Sequence, residues 1–163
     1  MIRAEKQDDK SQIATLIART YGAAGAETIA QTGQLRSLEV YSSKLSFVSE
    51  TDAKLDAFAL FTPVKMEGDA KGVVLAPFAL DIHKLDFDVV GFLNHCFSEI
   101  ESQGYSYIFA MGNLEDLSAL GFVYADSLNL SVNQSLEATL LVKKVKGPNT
   151  TGLVEFPETL LVE

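Results

Sequence analysis

Asp81, His83, Asp86 and Asp88 crowd into the first part of the stretch DIHKLDFDVVGF, residues 81–92, and three kinds of chemistry would suit them. Carboxylates and an imidazole together can ligate a cation, but this spacing matches no strong metal motif. A loop between a strand and a helix is a common phosphate site. Such loops are usually rich in glycine and positively charged. This one has no glycine before Gly91, a single lysine and three aspartates. The third reading is structural. Aspartate is a preferred N-cap, and a carboxylate suits the positive end of a helix, so Asp86 or Asp88 would start the helix that follows. A cap of this kind puts the protein's own carboxylate where an anion would sit.

Other reactive side chains are sparse. His95 and Cys96 fall on the same expected helix. His95 reads as a partly exposed helical histidine rather than a base, and Cys96, with apolar neighbours, as a small buried residue. As the sole cysteine it excludes an intramolecular disulfide. No Ser, His and Asp set carries a nucleophile motif. Tyr107 alternates with Ser106 and Ile108 on an expected strand. It could face a cleft as an acid, or serve as a core or sheet-face tyrosine.

The elements that must position these residues follow from periodicity and turn chemistry. Residues 2–5 predict a short strand. DDKSQIATLIARTYG predicts a helix, with Asp8, Asp9 or Ser11 as cap and Ile13, Leu16, Ile17 and Tyr21 on one face. Gly22 and Gly25 end it, and a weaker helix covers about Glu27 to Val40. KLSFVSETDAKLDAFALFTPV predicts a hairpin turning at TDAK, and GVVLAPFAL a further strand after MEGDAKG. Val89, Leu93, Cys96, Phe97 and Ile100 make one stripe of a helix over 88–101. YSYIFAM predicts a strand and LEDLSALG a short helix. FVYADSLNLSV and ATLLVKKV predict two more strands, and TGLVEFPETLLV a tail that adds an edge strand.

A meander followed by a strand–helix–strand crossover predicts an α/β (α+β) single domain over residues 1–163. Its mixed, mostly antiparallel sheet would have about six or seven strands, with helices on both faces. The formal net charge of -9 argues against nucleic acid as a partner, because phosphate neutralisation needs clustered Lys and Arg. The one basic cluster, Lys143, Lys144 and Lys146, reads as an edge device that keeps a strand soluble. No apolar run approaches a membrane span, and the N-terminus lacks a signal-like core, so the expectation is a cytoplasmic protein without a membrane partner.

The element order is that of the Gcn5-related N-acetyltransferases, the GNAT fold, and several blocks resemble a bacterial subgroup of that family. They are MIRAEKQDD, Leu35-Arg36, LSFVSETDAKLDAFALFTPV, APFAL, GNLEDLSALGF, EATLLV and GLVEFPETL, and together they cover nearly the whole chain. The resemblance implies acetyl-CoA as cofactor, an amine as acceptor and no metal. It also implies that family members often dimerise, here with the tail strand available for pairing across an interface. It places backbone contacts to the acyl donor at Phe78, Ala79 and Leu80 on the fourth strand, and at Asp88, Val89 and Val90 at the start of the following helix.

The side chains of the family's motifs are missing. In its cofactor loop, Q/R-x-x-G-x-G/A, the first position falls at Leu85 and the two glycines at Asp88 and Val90, with Phe87 in place of an arginine. The family's paired tyrosines, which include a frequent general acid, fall at Asp116 and Leu117, and its arginine at Ala119. Gly112, Gly121 and Phe122 remain. Tyr107 and Asp116 are the two weak candidates for a catalytic group. Carboxylates beside a pyrophosphate cost on the order of a few kcal/mol when partly desolvated. Two functions therefore follow. One is an acetyl-CoA-dependent N-acetyltransferase that relies on backbone contacts. The other is a pseudoenzyme, a GNAT-fold binding or interaction module that no longer uses acetyl-CoA.

Overall fold

The computed structural model describes residues 1–132 and 139–160. Nine strands and four α-helices are found among them. In chain order they are β1 (Ile2–Ala4), α1 (Lys10–Tyr21), α2 (Gly25–Arg36), β2 (Ser46–Thr51), β3 (Lys54–Val64), β4 (Gly72–Leu80), α3 (Val89–Ser102), β5 (Tyr107–Met111), α4 (Leu114–Leu117), β6 (Val123–Tyr124), β7 (Leu130–Val132), β8 (Leu140–Lys144) and β9 (Gly152–Val154). A seven-stranded sheet has the order β1-β2-β3-β4-β5-β8-β6, and β7 and β9 form a second, two-stranded parallel sheet. The large sheet is mixed, with β4 and β5 parallel and β1–β2, β2–β3, β5–β8 and β8–β6 antiparallel.

Contacts divide the chain into two compact units. One is Met1–Thr62 with Ala76–His95, and the other is Pro63–Leu75 with Cys96–Glu163. The first unit holds the β2–β3 hairpin expected at TDAK. Thr51 pairs with Lys54, and Asp52 and Ala53 both take positive φ, 51° and 65°. That is the primed turn whose twist suits a two-residue hairpin. The start of α1 is held by charge. Arg3 grips Asp9 through both carboxylate oxygens at 2.7 and 2.9 Å, and Lys6 donates its N–H to the same carboxylate at 2.7 Å. The Arg3 guanidinium holds the buried Asp9 carboxyl below the usual carboxylate range. Asp9 therefore serves the turn before α1 rather than accepting an N–H of the helix itself as a side-chain cap.

Gly25 is the first residue of α2, not a spacer after α1. A Cβ there would lie 2.9 Å from the Ala18 Cα, so glycine lets the two helices approach. The second helix stops at Arg36, four residues short of the expected Val40, because Ser37 turns back onto the Gln34 carbonyl with its N–H at 3.1 Å and its hydroxyl at 2.7 Å. Arg36 pairs with the buried Glu5 at 2.7 Å and lies over the Phe58 ring.

In the second unit, two sequence expectations change. FVYADSLNLSV is not one strand. Residues Ala125–Leu128 form a helical turn between β6 and β7, closed by the Asn129 N–H on the Asp126 carbonyl at 3.0 Å and by the Ser127 hydroxyl on the Tyr124 carbonyl at 2.7 Å. Polar turn chemistry in the middle of the run outweighs its strand propensity. The tail strand β9 pairs with β7 and not with an edge of the large sheet. Glu137 and Ala138 of the EATLLV block, and residues 161–163 of the tail, lie outside the described residues.

Strand β8 lies between β5 and β6, but β6 pairs only with Leu141 and Val142, so Lys143 and Lys144 have no described strand partner on that side. Lys143 donates to the Leu120 carbonyl at 2.7 Å and lies over the Phe97 ring, and Lys144 donates to the Gly147 carbonyl at 2.9 Å and lies over Tyr107. Their stems cover apolar surface while the ammonium groups reach carbonyls.

Candidate functional site

The loop from Asp81 to Asp88 and the end of β4 both belong to the first unit. The loop is built from local hydrogen bonds. Asp81 accepts the His83 N–H at 3.0 Å and donates its own N–H to the Asp56 carbonyl at 2.7 Å. Lys84, the single cation of the stretch, is 3.2 Å from the buried Asp56 carboxylate and 3.3 Å from the Thr51 hydroxyl, which itself donates to Asp56 at 2.7 Å. It is thus committed to a carboxylate of the same unit. Phe87, at the place of the family's arginine, sits 5.9 Å from the Phe92 ring, and Phe92 stacks on Phe78 at 6.2 Å. Asp86 is exposed.

Asp88 is the N-cap. Its carboxylate accepts the Gly91 N–H at 2.9 Å, and its carbonyl accepts the Phe92 N–H at 3.1 Å. Val89 donates its N–H to the Phe87 carbonyl at 3.0 Å, and Val90 is half exposed. A Cβ on Gly91 would overlap the Asp88 carboxylate, so the glycine that remains in this stretch makes room for the cap. Among the described residues, no group of three or more His, Cys, Asp or Glu side chains is placed to hold a metal ion.

The end of β4 holds what sequence reasoning missed. Successive strand residues turn their amide groups to opposite edges. Asp81 faces β3 through Asp56, so Ala79 shares that edge, and Phe78 and Leu80 face the other. Both groups of each are taken by a single hydroxyl from the end of α1. Thr20 Oγ1 donates to the Leu80 carbonyl and accepts its N–H, each at 3.1 Å. The Tyr21 hydroxyl donates to the Phe78 carbonyl at 3.1 Å and accepts its N–H at 3.3 Å. Partial burial pushes the Tyr21 hydroxyl above the usual phenol range, which keeps it a donor. Tyr21 was expected on the apolar face of α1, yet it is 37% exposed. A tyrosine at the last position of a helix, one residue before a glycine at φ 57°, was the only signal in the sequence.

The weak catalytic candidates lie in the second unit. Tyr107 is buried, and its hydroxyl bridges the backbone of Thr150, accepting its N–H at 3.1 Å and donating to its carbonyl at 3.4 Å. Asp116 is exposed on α4, a helix capped by Asn113 through the Glu115 N–H at 2.9 Å. The retained motif residues do structural work. Gly121 closes the turn after α4 at φ 92°, and Phe122 is buried edge-on to Phe97. Cys96 is fully buried, and burial pushes its thiol well above the usual range, so it is no nucleophile. His95 is exposed.

A strand meander and a parallel β4–β5 pair joined through α3, with the described register of that pair ending at Leu75, define the fold of the Gcn5-related N-acetyltransferases. The solved structures bear this out. The chain is similar to the GNAT family N-acetyltransferase YhbS from Escherichia coli, solved in complex with CoA, at 24% identity and TM-score 0.85 over 98% of this chain and 90% of that one. It is similar to a GNAT family acetyltransferase from Brucella melitensis in complex with acetyl-CoA at 19% identity and TM-score 0.73 over 98% and 96%. The ribosomal-protein-S18-alanine N-acetyltransferase from Escherichia coli matches at 16% identity and TM-score 0.62 over 93% and 99%. No family model and no curated protein matches the chain. No described helix is long and apolar enough to cross a membrane.

Proposed function

We propose that this chain is a protein of the acetyltransferase fold that no longer uses acetyl-CoA and works as a binding or interaction module. The observation that carries the reading is the Asp88 carboxylate on the Gly91 N–H at the start of α3. In the fold's donor loop a backbone amide there would meet a pyrophosphate. Here a carboxylate oxygen already fills that place, and Asp81 and Asp86 add charge of the wrong sign nearby. The same loop turns Ile82, Leu85 and Val90 to solvent, with Leu85 94% exposed. Large exposed apolar side chains suit contact with another protein better than contact with phosphates.

A second reading keeps the activity of the fold, an N-acetyltransferase acting on an amine or other small molecule. It is supported by the CoA and acetyl-CoA complexes among the similar structures, and by the exposure of Thr20 and Tyr21, which a ligand could displace from β4. Both readings treat residues 1–163 as one working domain in the cytoplasm, alone or as a homodimer.

Thermal unfolding with and without millimolar acetyl-CoA separates the two. The first reading expects no shift. Stabilisation approaching about 2.7 kcal/mol, the value for a ligand at a hundred times its dissociation constant, would establish the second in its place.

A further inference from the structure

A cavity lies at the other end of α1 from Thr20 and Tyr21, about 16 Å along the helix axis. Its volume is about 260 Å³, and it is framed by residues 5–10, the end of α2 and residues 41–43. All of these belong to the first unit. Pockets for drug-sized molecules span about 300–1,000 Å³, so an occupant here is smaller.

Three of the chain's 13 Lys and Arg residues line this one cavity, namely Lys6, Lys10 and Arg36. They are gathered by the fold and not by the sequence. Glu5 is the sole carboxylate among the lining residues, and it is fully engaged. Arg36 lies 2.7 Å from one of its oxygens, and the other accepts the Ser46 hydroxyl. Glu5 and Arg36 thus cancel, with side chains 3% and 17% exposed. Lys6 and Lys10 are exposed, and neither joins an ion pair among the described residues. Lys6 favours the charged form of Asp9, yet Arg3 already grips that carboxylate through both oxygens. In a chain of net charge -9, two uncompensated ammonium groups beside a closed ion pair attract an anion.

The donors select the kind of anion. A planar carboxylate is matched best by the fork of an arginine, and the Arg36 fork is occupied by Glu5. Two ammonium point charges remain, with the Gln7 amide and the Ser43 hydroxyl, whose side chains make no hydrogen bond among the described residues. A tetrahedral phosphate, with three strong acceptor oxygens, suits such a set. A phosphate group has the bulk of a few waters at about 30 Å³ each, so alone it would leave much of the 260 Å³ empty. Tyr41, half-buried, also lines the cavity and offers contact area to an organic part.

We propose that this cavity binds a small phosphate monoester, with its dianionic head on Lys6 and Lys10, further donors from Gln7 and Ser43, and its organic part against Tyr41. The test uses the whole chain, with glycerol phosphate, inorganic phosphate and succinate as probes, followed by amide NMR and calorimetry. Millimolar glycerol phosphate is expected to shift the amides of Lys6, Gln7, Lys10 and Ser43 and to leave those of Phe78 and Leu80 in place. Lys6→Gln with Lys10→Gln removes both charges from exposed positions and is expected to weaken binding by about tenfold or more. Inorganic phosphate is expected to bind more weakly than the ester, and succinate more weakly still. Equal affinity for inorganic phosphate overturns the ester in favour of the free ion. Succinate binding as tightly as the ester overturns the choice of phosphate. No shift at the four amides, or an affinity that the two substitutions leave unchanged, overturns the site itself. Failure here is distinct from failure of the functional reading, which acetyl-CoA decides and which concerns the start of α3.

Discussion

At the start of α3 a carboxylate satisfies an amide three residues further on, from Asp88 to Gly91. Toward the end of β4 the groups of Phe78 and Leu80 are satisfied by hydroxyls 57 and 60 residues away. Both places answer the same demand, that backbone polar groups with no ladder partner find one elsewhere. The answers differ in kind. The cap is built from its own segment and persists wherever α3 persists. The closure of β4 exists only while α1 is held in position. A local device is difficult to remove except by mutation, and a distant one can open when its anchor loosens.

The largest effect is expected from undoing both devices together. Phe87→Arg, Asp88→Gly and Val90→Gly rebuild the loop, and Thr20→Ala with Tyr21→Ala opens the edge. At a hundred times its dissociation constant, acetyl-CoA is expected to stabilise the combined variant by about 2.7 kcal/mol in thermal unfolding, and either set alone by much less. If the rebuilt loop alone responds as fully as the combination, the edge is not closed to ligands and the contrast between the two regions fails.

A smaller effect is expected at the far end of α1. The ion pair of Arg3 with Asp9 anchors the start of that helix, with a bidentate contact and side chains 14% and 7% exposed. Arg3→Met strands a buried carboxylate, and stability at pH 7 is expected to fall by about 2 kcal/mol in denaturant unfolding. The sign of the pH dependence follows from the depressed carboxyl. A folded value below the unfolded one, about 3.9, gives a contribution that is complete above roughly pH 5 and lost as the pH falls through the folded value. Arg3→Met is therefore expected to lose stability near neutrality and to flatten the acid limb. Exchange at Phe78 and Leu80 should quicken in the same variant while Gly91 stays protected. Equal quickening at all three would erase the distinction between local and distant.

The same distinction decides what could be read from the sequence. The cap was legible because an aspartate before an apolar helical stripe is a local pattern, and Asp88 with Gly91 needs no knowledge of the fold. The β2–β3 hairpin and α3 were legible for the same reason. Tyr21 was not, because a tyrosine in the apolar stripe of a helix is ordinarily core. Only the placement of the end of α1 beside β4 turns its hydroxyl outward to a strand. Lys143 and Lys144 were legible as lysines on a stretch of strand unpaired on one side, since β6 pairs β8 only at Leu141 and Val142, but the Lys143 partner, the carbonyl of Leu120, was not. Asp126 and Ser127 could have warned that the run 122–132 breaks, since turn chemistry is local; the apolar residues around them outweighed it.

The smallest expected effect isolates the cap. Asp88→Ala removes the acceptor for Gly91 and should cost about 1 kcal/mol, whereas Asp88→Asn keeps an acceptor oxygen and should cost only a few tenths. Both remove the negative charge from the start of α3. Stability therefore reports the hydrogen bond, while ligand binding reports the charge. If phosphate exclusion came from the carboxylate's charge alone, Asp88→Asn would admit acetyl-CoA with the helix still capped. The structure argues against that outcome, because the asparagine oxygen would still occupy the Gly91 N–H and Val90 would still carry its side chain where the fold's loop has a glycine. Asp88→Asn is accordingly expected to unfold near the unaltered protein's temperature with and without acetyl-CoA. A stabilising shift in that variant alone would show that a single charge, rather than an occupied amide, separates this loop from a phosphate site.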